Sequence, residues 1–114
     1  MPPPSTLYFP FDATALSPEA TELLQSFAGF LREHARATLT ITGHADERGT
    51  GEYNLALGEA RARAARDYLV RLGVRPEQIR VVSMGEERPA AAGSLEGAWA
   101  KNRRDELVIA VEGS

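Results

Sequence analysis

The sequence predicts an α+β domain: a two-layer sandwich of βαβαββ order, with a mixed four-stranded sheet and helices packed on it. Three observations predict it. Apolar residues recur at helical spacing in two long segments, one after Pro18 and one after Tyr53. The segment between them, Thr38-Leu39-Thr40-Ile41-Thr42, alternates with period two and is rich in β-branched residues. Short apolar runs before the first helix and near the end of the chain supply further strands.

The elements follow in order. Residues 1–5, with Pro2-Pro3-Pro4 at their centre, read as a disordered leader ahead of one domain over 6–114. Thr6-Leu7-Tyr8-Phe9 is an apolar, aromatic strand, and Pro10, lacking a ladder donor, suits its end. Ser17 suits an N-cap, Pro18 the first helical position and Glu19 the first turn. Ala20, Leu23, Leu24, Phe27, Phe30 and Leu31 continue with helical period, so helix 1 runs from Pro18 to about Arg36, with Leu16 placed to staple onto it. Strand 2 points Leu39 and Ile41 inward and ends at Gly43. Helix 2 spans about Tyr53 to Leu72, with Gly73 as its C-terminal cap. Ile79 to Ser83 is a third strand, a Gly-, Ala- and Pro-rich loop runs from about Met84 to Lys101, and Glu106 to Val111 is the last strand.

Composition narrows the function classes. The chain has 114 residues, and 13 Lys+Arg against 16 Asp+Glu give a net charge of −3. That balance argues against general binding of nucleic acid or anionic membrane, which needs clustered positive surface. No apolar run reaches the roughly 20 residues of a membrane-spanning helix, and the N-terminus lacks a signal-peptide layout. With no Cys there is no disulfide, thiolate metal site, thiol nucleophile or acylated cysteine.

Two features depart from an ordinary surface. On a helical wheel of helix 2, Leu57, Ala60, Ala64, Ala65, Tyr68, Leu69 and Leu72 form an apolar stripe, and Arg61 falls near its middle. Such a guanidinium either pairs with a buried acid, Asp12 or Asp46, or faces a ligand anion, for which its planar fork is suited. The loop from His44 to Glu52 lies at the carboxyl end of a strand and before a helix, a favoured place for ligands, and Gly43, Gly49 and Gly51 permit close backbone approach. Asp46 on one side and Arg61 on the other complement a zwitterion such as an amino acid. Local pairing of Asp46 with Arg48 is the competing arrangement. His44, Asp46 and Glu47 make a poor metal set, with no second nearby His and no Cys. Hydrolytic machinery is also missing: Ser83 and Ser94 have no Gly-x-Ser-x-Gly elbow, and Asp46 and Glu47 are adjacent rather than facing.

Three stretches carry a family resemblance. Phe9-Pro10-Phe11-Asp12 precedes helix 1, Gly43 to Asn54 joins strand 2 to helix 2, and Asn102-Arg103-Arg104 precedes the last strand. Their order and spacing resemble the OmpA-like peptidoglycan-binding domain, over about Thr6 to Val111. The loop His44 to Thr50, followed by Glu52-Tyr53-Asn54, is of the type carried by the family's peptidoglycan-associated lipoprotein branch. The resemblance implies non-covalent binding of the peptidoglycan stem peptide through meso-diaminopimelate, without catalysis and with no cofactor and no metal. It puts the family's key acid at Asp46 and its key arginine at Arg61. Asp12, Arg103 and Arg104 match positions near that pocket, His44, Gly49 and Thr50 complete the expected site, and Leu57 and Tyr53 are expected to pack rather than touch ligand. A TolB-like periplasmic protein is the alternative partner, and the implied location of the parent protein is periplasmic and outer-membrane-associated, with any anchor outside this chain. Gly51 stands where that branch has proline, which loosens the loop, and Ala60 replaces the first of two arginines usual in the family.

Overall fold

The computed structural model describes residues 1–111. The end of the expected domain, 112–114, lies outside the described residues. Strand β1 (Ser5–Tyr8) is followed by α1 (Pro18–Glu33), β2 (Ala37–His44), α2 (Gly51–Arg71), β3 (Ile79–Gly85), α3 (Glu96–Asn102) and β4 (Arg104–Val111), with a short 3-10 turn, Pro76–Gln78, leading into β3. The strand order is β1-β4-β2-β3. β4 runs antiparallel to both β1 and β2, and β2 and β3 are parallel, joined through α2. This is the mixed four-stranded sheet expected of the sequence.

The core forms where helix faces meet the inward positions of the sheet. Leu39 and Ile41 of β2 and Leu107 of β4 are fully buried against Leu24, Phe27 and Leu31 of α1 and Leu69 of α2. Burying such side chains is worth about 1.5–3 kcal/mol each. The caps act as their residue types dictate. The Ser17 hydroxyl accepts from Ala20 N–H at 3.1 Å, and Gly73 takes φ +97° after α2, with Val74 N–H reaching back to Leu69 O at 3.1 Å.

Several boundaries differ from the sequence expectation. α1 stops at Glu33 because His34 leaves helical geometry, its ring stacking on Phe30 at 3.9 Å while the chain turns to bury Ala37. α2 starts at Gly51, two residues before Tyr53, because Thr50 caps it through the Tyr53 N–H at 3.1 Å. Gly51 is therefore the first helical residue. The stretch read as one loop from Met84 to Lys101 holds the end of β3 and most of α3, a helix of seven residues and too short for periodicity to reveal. Ser5 also begins β1, opposite Leu107, rather than ending the leader.

The buried face of α2 is rotated from the apolar stripe. Asn54, Gly58, Arg61, Ala62, Ala65 and Leu69 are buried, while Ala60 is exposed and Leu57, Ala64, Tyr68 and Leu72 are half-buried. Small residues decide this. A Cβ on Gly43 would stand 1.8 Å from the carbonyl oxygen of Gly58, so strand and helix backbones meet there and draw the Gly58–Ala62 side inward.

Candidate ligand-binding site

Arg61 enters the sheet–helix interface because α2 turns this face inward, and its side chain has no exposed surface. Its fork is held by backbone, not by acid. Nε donates to Ala13 O at 2.9 Å, Nη1 to His44 O at 2.9 Å and Nη2 to Pro10 O at 3.2 Å. These carbonyls come from the segment before α1 and from the end of β2, so Arg61 ties the two loops together. The direct ion pair with Asp12 or Asp46 weighed from the wheel is not among these bonds. Burial brings the Arg61 guanidinium down to about 10, with the charge of Asp105 opposing that shift.

Asp46 is also buried and is held by Arg48. The carboxylate accepts Arg48 N–H at 3.0 Å, Nε at 3.2 Å and Nη2 at 2.8 Å, and Arg103 Nη1 stands at 3.5 Å. Burial would raise its pKa, but the side-chain and backbone hydrogen bonds from Arg48 outweigh it, and the Asp46 carboxyl lies below the ordinary range. Arg48 is itself sandwiched, its guanidinium 3.9 Å from the Phe11 ring centroid and 4.0 Å from that of Trp99. Trp99 Nε1 donates to Glu47 at 3.0 Å, and Arg103 bridges Phe9 O at 2.8 Å and Glu96 at 2.8 Å. α3 thus closes over the loop. Glu96 and Trp99 carry no motif at the sequence level, and only the aromatic character of Trp99 in a polar stretch could have marked them.

A cavity of about 150 Å³ lies between these groups, bordered by Phe11, Asp12, Asp46, Arg48 and Arg61, with Gly49, Tyr53, Asn54 and Leu57 completing its wall. Asp12 has φ +55°, a left-handed conformation that Asp tolerates better than most residues, and its carboxylate accepts a hydrogen bond from the Tyr53 hydroxyl. Tyr53 and Leu57, expected only to pack, both border the cavity. Of the other expected site residues, Gly49 turns the loop at φ +97°, Thr50 caps α2 and Arg103 meets Asp46.

His44 and Arg104 stand in a different cluster. His44 Nε2 lies 2.9 Å from Glu106 Oε1, and Arg104 Nε donates to Glu106 Oε2 at 3.2 Å and its Nη2 to Arg88 O at 2.9 Å. Arg104 and Glu106 occupy the strand face opposite Leu107, and the β-bulge between Gly43 and His44 re-aims the end of β2. Burial, reinforced by Arg104, lowers the His44 pKa. Asp105, between those two residues, points the other way, is fully buried, and among the described residues finds no hydrogen-bond donor for either carboxyl oxygen. Burial pushes its pKa up to about 8 against the pull of Arg61. No motif singled out Asp105. Its signal was an acid at an inward position of an alternating strand.

Among the described residues no His, Cys, Asp and Glu cluster could hold a metal ion, and no helix is long and apolar enough to cross a membrane.

Comparison with known proteins places this geometry in context. A model of the OmpA family matches residues 8–103. The peptidoglycan-associated lipoprotein of Pseudomonas putida is 50% identical over 103 residues, covering 90% of this chain and 61% of that protein, and its counterpart in Pseudomonas aeruginosa matches to the same extent. The chain spans about three fifths of the length of these relatives. The crystal structure of the peptidoglycan-associated lipoprotein from Burkholderia pseudomallei superposes with a TM-score of 0.90 at 46% identity, over 92% of this chain and 89% of that one. The C-terminal domain of Helicobacter pylori MotB, at 20% identity and a TM-score of 0.83, over 96% of this chain and 86% of that one, shares the fold.

Proposed function

The chain belongs to the OmpA family, and on that premise we propose that it binds peptidoglycan non-covalently, through the meso-diaminopimelate of the stem peptide, and so tethers the outer membrane to the cell wall. The observation that carries the reading is a small cavity bordered by the buried Asp46 and the fully buried Arg61. The side-chain end of diaminopimelate holds an ammonium and a carboxylate on one carbon, the charge pattern this pair complements. A guanidinium has five N–H donors, and the three bonds of Arg61 leave two for a ligand carboxylate. Asp46 takes the ammonium as Arg48 yields part of its hold. Because Arg61 has no exposed surface, a ligand reaches it only when a wall side chain moves, and the exposed Phe11, Asp12 and Tyr53 do so by giving up the Phe11–Arg48 stacking or the Tyr53–Asp12 hydrogen bond.

The test compares soluble muropeptides by calorimetry. A diaminopimelate-containing peptide binds at least about tenfold more tightly than a lysine-containing one, which lacks the side-chain carboxylate, as for a lost charge-assisted hydrogen bond of about 1.5–3 kcal/mol. Equal binding of the two refutes the assignment. A TolB-like periplasmic protein is the competing occupant of this face, and retention of the domain on purified sacculi separates the two readings.

A further inference from the structure

We infer that Asp105 is a positioning residue for this site, the internal counter-ion of Arg61, and that its ionisation and the binding of a ligand carboxylate at Arg61 exclude one another. The inference rests on the reading of the cavity proposed above, and the geometry supplies the rest. Asp105 shares the helix-facing side of β4 with Leu107 and Ile109, all buried. Its strand neighbours across the sheet are Leu7 of β1 and Gly43 of β2, neither of which titrates. The buried face of α1 is apolar, with Ala20, Leu24, Phe27, Ala28 and Leu31. From α2 comes Arg61, the charge that acts on the Asp105 carboxyl. Asp12, Asp46 and Arg103, from the surrounding loops, act on Arg61.

Arg61 is thus a buried cation whose hydrogen bonds end on neutral carbonyls, and the buried Asp105 carboxyl, on the helix-facing side of the sheet, accepts none among the described residues. Two states follow. With Asp105 protonated, the positive charge of Arg61 is uncompensated from below and attracts an anion from the cavity. With Asp105 ionised, the pair is neutral and a second carboxylate is repelled. Binding of a ligand carboxylate to the ionised form therefore takes up one proton from solvent, which ends on Asp105.

Calorimetry of a diaminopimelate muropeptide across about pH 6 to 9 reads this linkage. Wild-type affinity weakens as pH rises, by up to about tenfold per unit where Asp105 titrates, whereas Asp105→Asn binds with a flat profile. Parallel profiles for the two proteins overturn the inference, since a merely structural role would shift both alike. Carboxyl-carbon NMR of ligand-free protein gives a second reading. Arg61→Met raises the pH at which Asp105 titrates, and an unchanged titration overturns the counter-ion pairing. Failure of the muropeptide to bind wild type at any pH refutes the reading of the cavity and leaves the Asp105 titration to decide the pairing alone.

Discussion

Replacing Arg61 by Met keeps most of the aliphatic stem and removes the guanidinium, so the change isolates what its hydrogen bonds contribute. Three carbonyl oxygens, those of Ala13, His44 and Pro10, lose their donor at once. A buried acceptor left unpaired costs about 1–3 kcal/mol, which gives about 3–9 kcal/mol of gross loss. Opposing it is the relief of a buried charge, worth several kcal/mol in real proteins. The net expectation is a loss of about 2–3 kcal/mol, a large share of the roughly 5–15 kcal/mol stability of a domain. Urea unfolding followed by circular dichroism checks it: with a slope of about 1–3 kcal/mol per M, the midpoint falls by about 0.7–3 M while the slope stays unchanged. The folded variant should also lose diaminopimelate peptide binding. A midpoint within about 0.3 M of wild type would refute the view that Arg61 ties the loop before α1 to the end of β2, and would leave it a ligand group only.

Two further outcomes test the frame around the site. Gly43→Ala puts a Cβ 1.8 Å from the Gly58 carbonyl oxygen, a backbone clash that no rotamer change relieves, so stability falls by about 3 kcal/mol or more. Gly58→Ala, whose Cβ would meet the Ser83 hydroxyl at 2.5 Å and the Gly43 carbonyl oxygen at 2.8 Å, is also destabilising but milder because its backbone overlap is shallower. The same urea midpoints read both, and a Gly43→Ala midpoint within about 0.3 M of wild type would refute the close approach of the two backbones. The Asp105 carboxyl releases its proton near pH 4 in the unfolded chain, to within about a unit, and at about 8 in the folded one. The folded state therefore holds the extra proton between these values, and stability falls as pH rises through that window. Melting temperatures of wild type fall from about pH 5 to about pH 8 relative to those of Asp105→Asn, and parallel curves would show that Asp105 titrates normally.

What the sequence determined by itself was whatever short-range chemistry encodes. The Ser17-Pro18 start of α1, the Thr38–Thr42 alternation and the Gly73 stop were readable because capping, period and φ preference act within a few residues. That Arg61 and Asp46 are not ordinary surface charges was readable because a charge on an apolar stripe and an acid in a Gly-rich loop are local anomalies, and both are buried. The partners of those two charges were not. Arg61 bonds carbonyls 17 to 51 residues away, and the Asp46–Arg48 pair is held in an aromatic sandwich from Phe11 and Trp99, on opposite ends of the chain. Likewise the wheel weighed apolarity and missed that α2 rolls toward Gly58 and Ala62, where two backbones can touch. The buried Asp105 and the removal of His44 and Arg104 to another cluster follow from sheet pairing and one bulge, which decide the face a strand residue occupies. Tertiary structure alone decided these points because burial, and with it the charge state of a buried acid, depends on what distant segments bring to the same place.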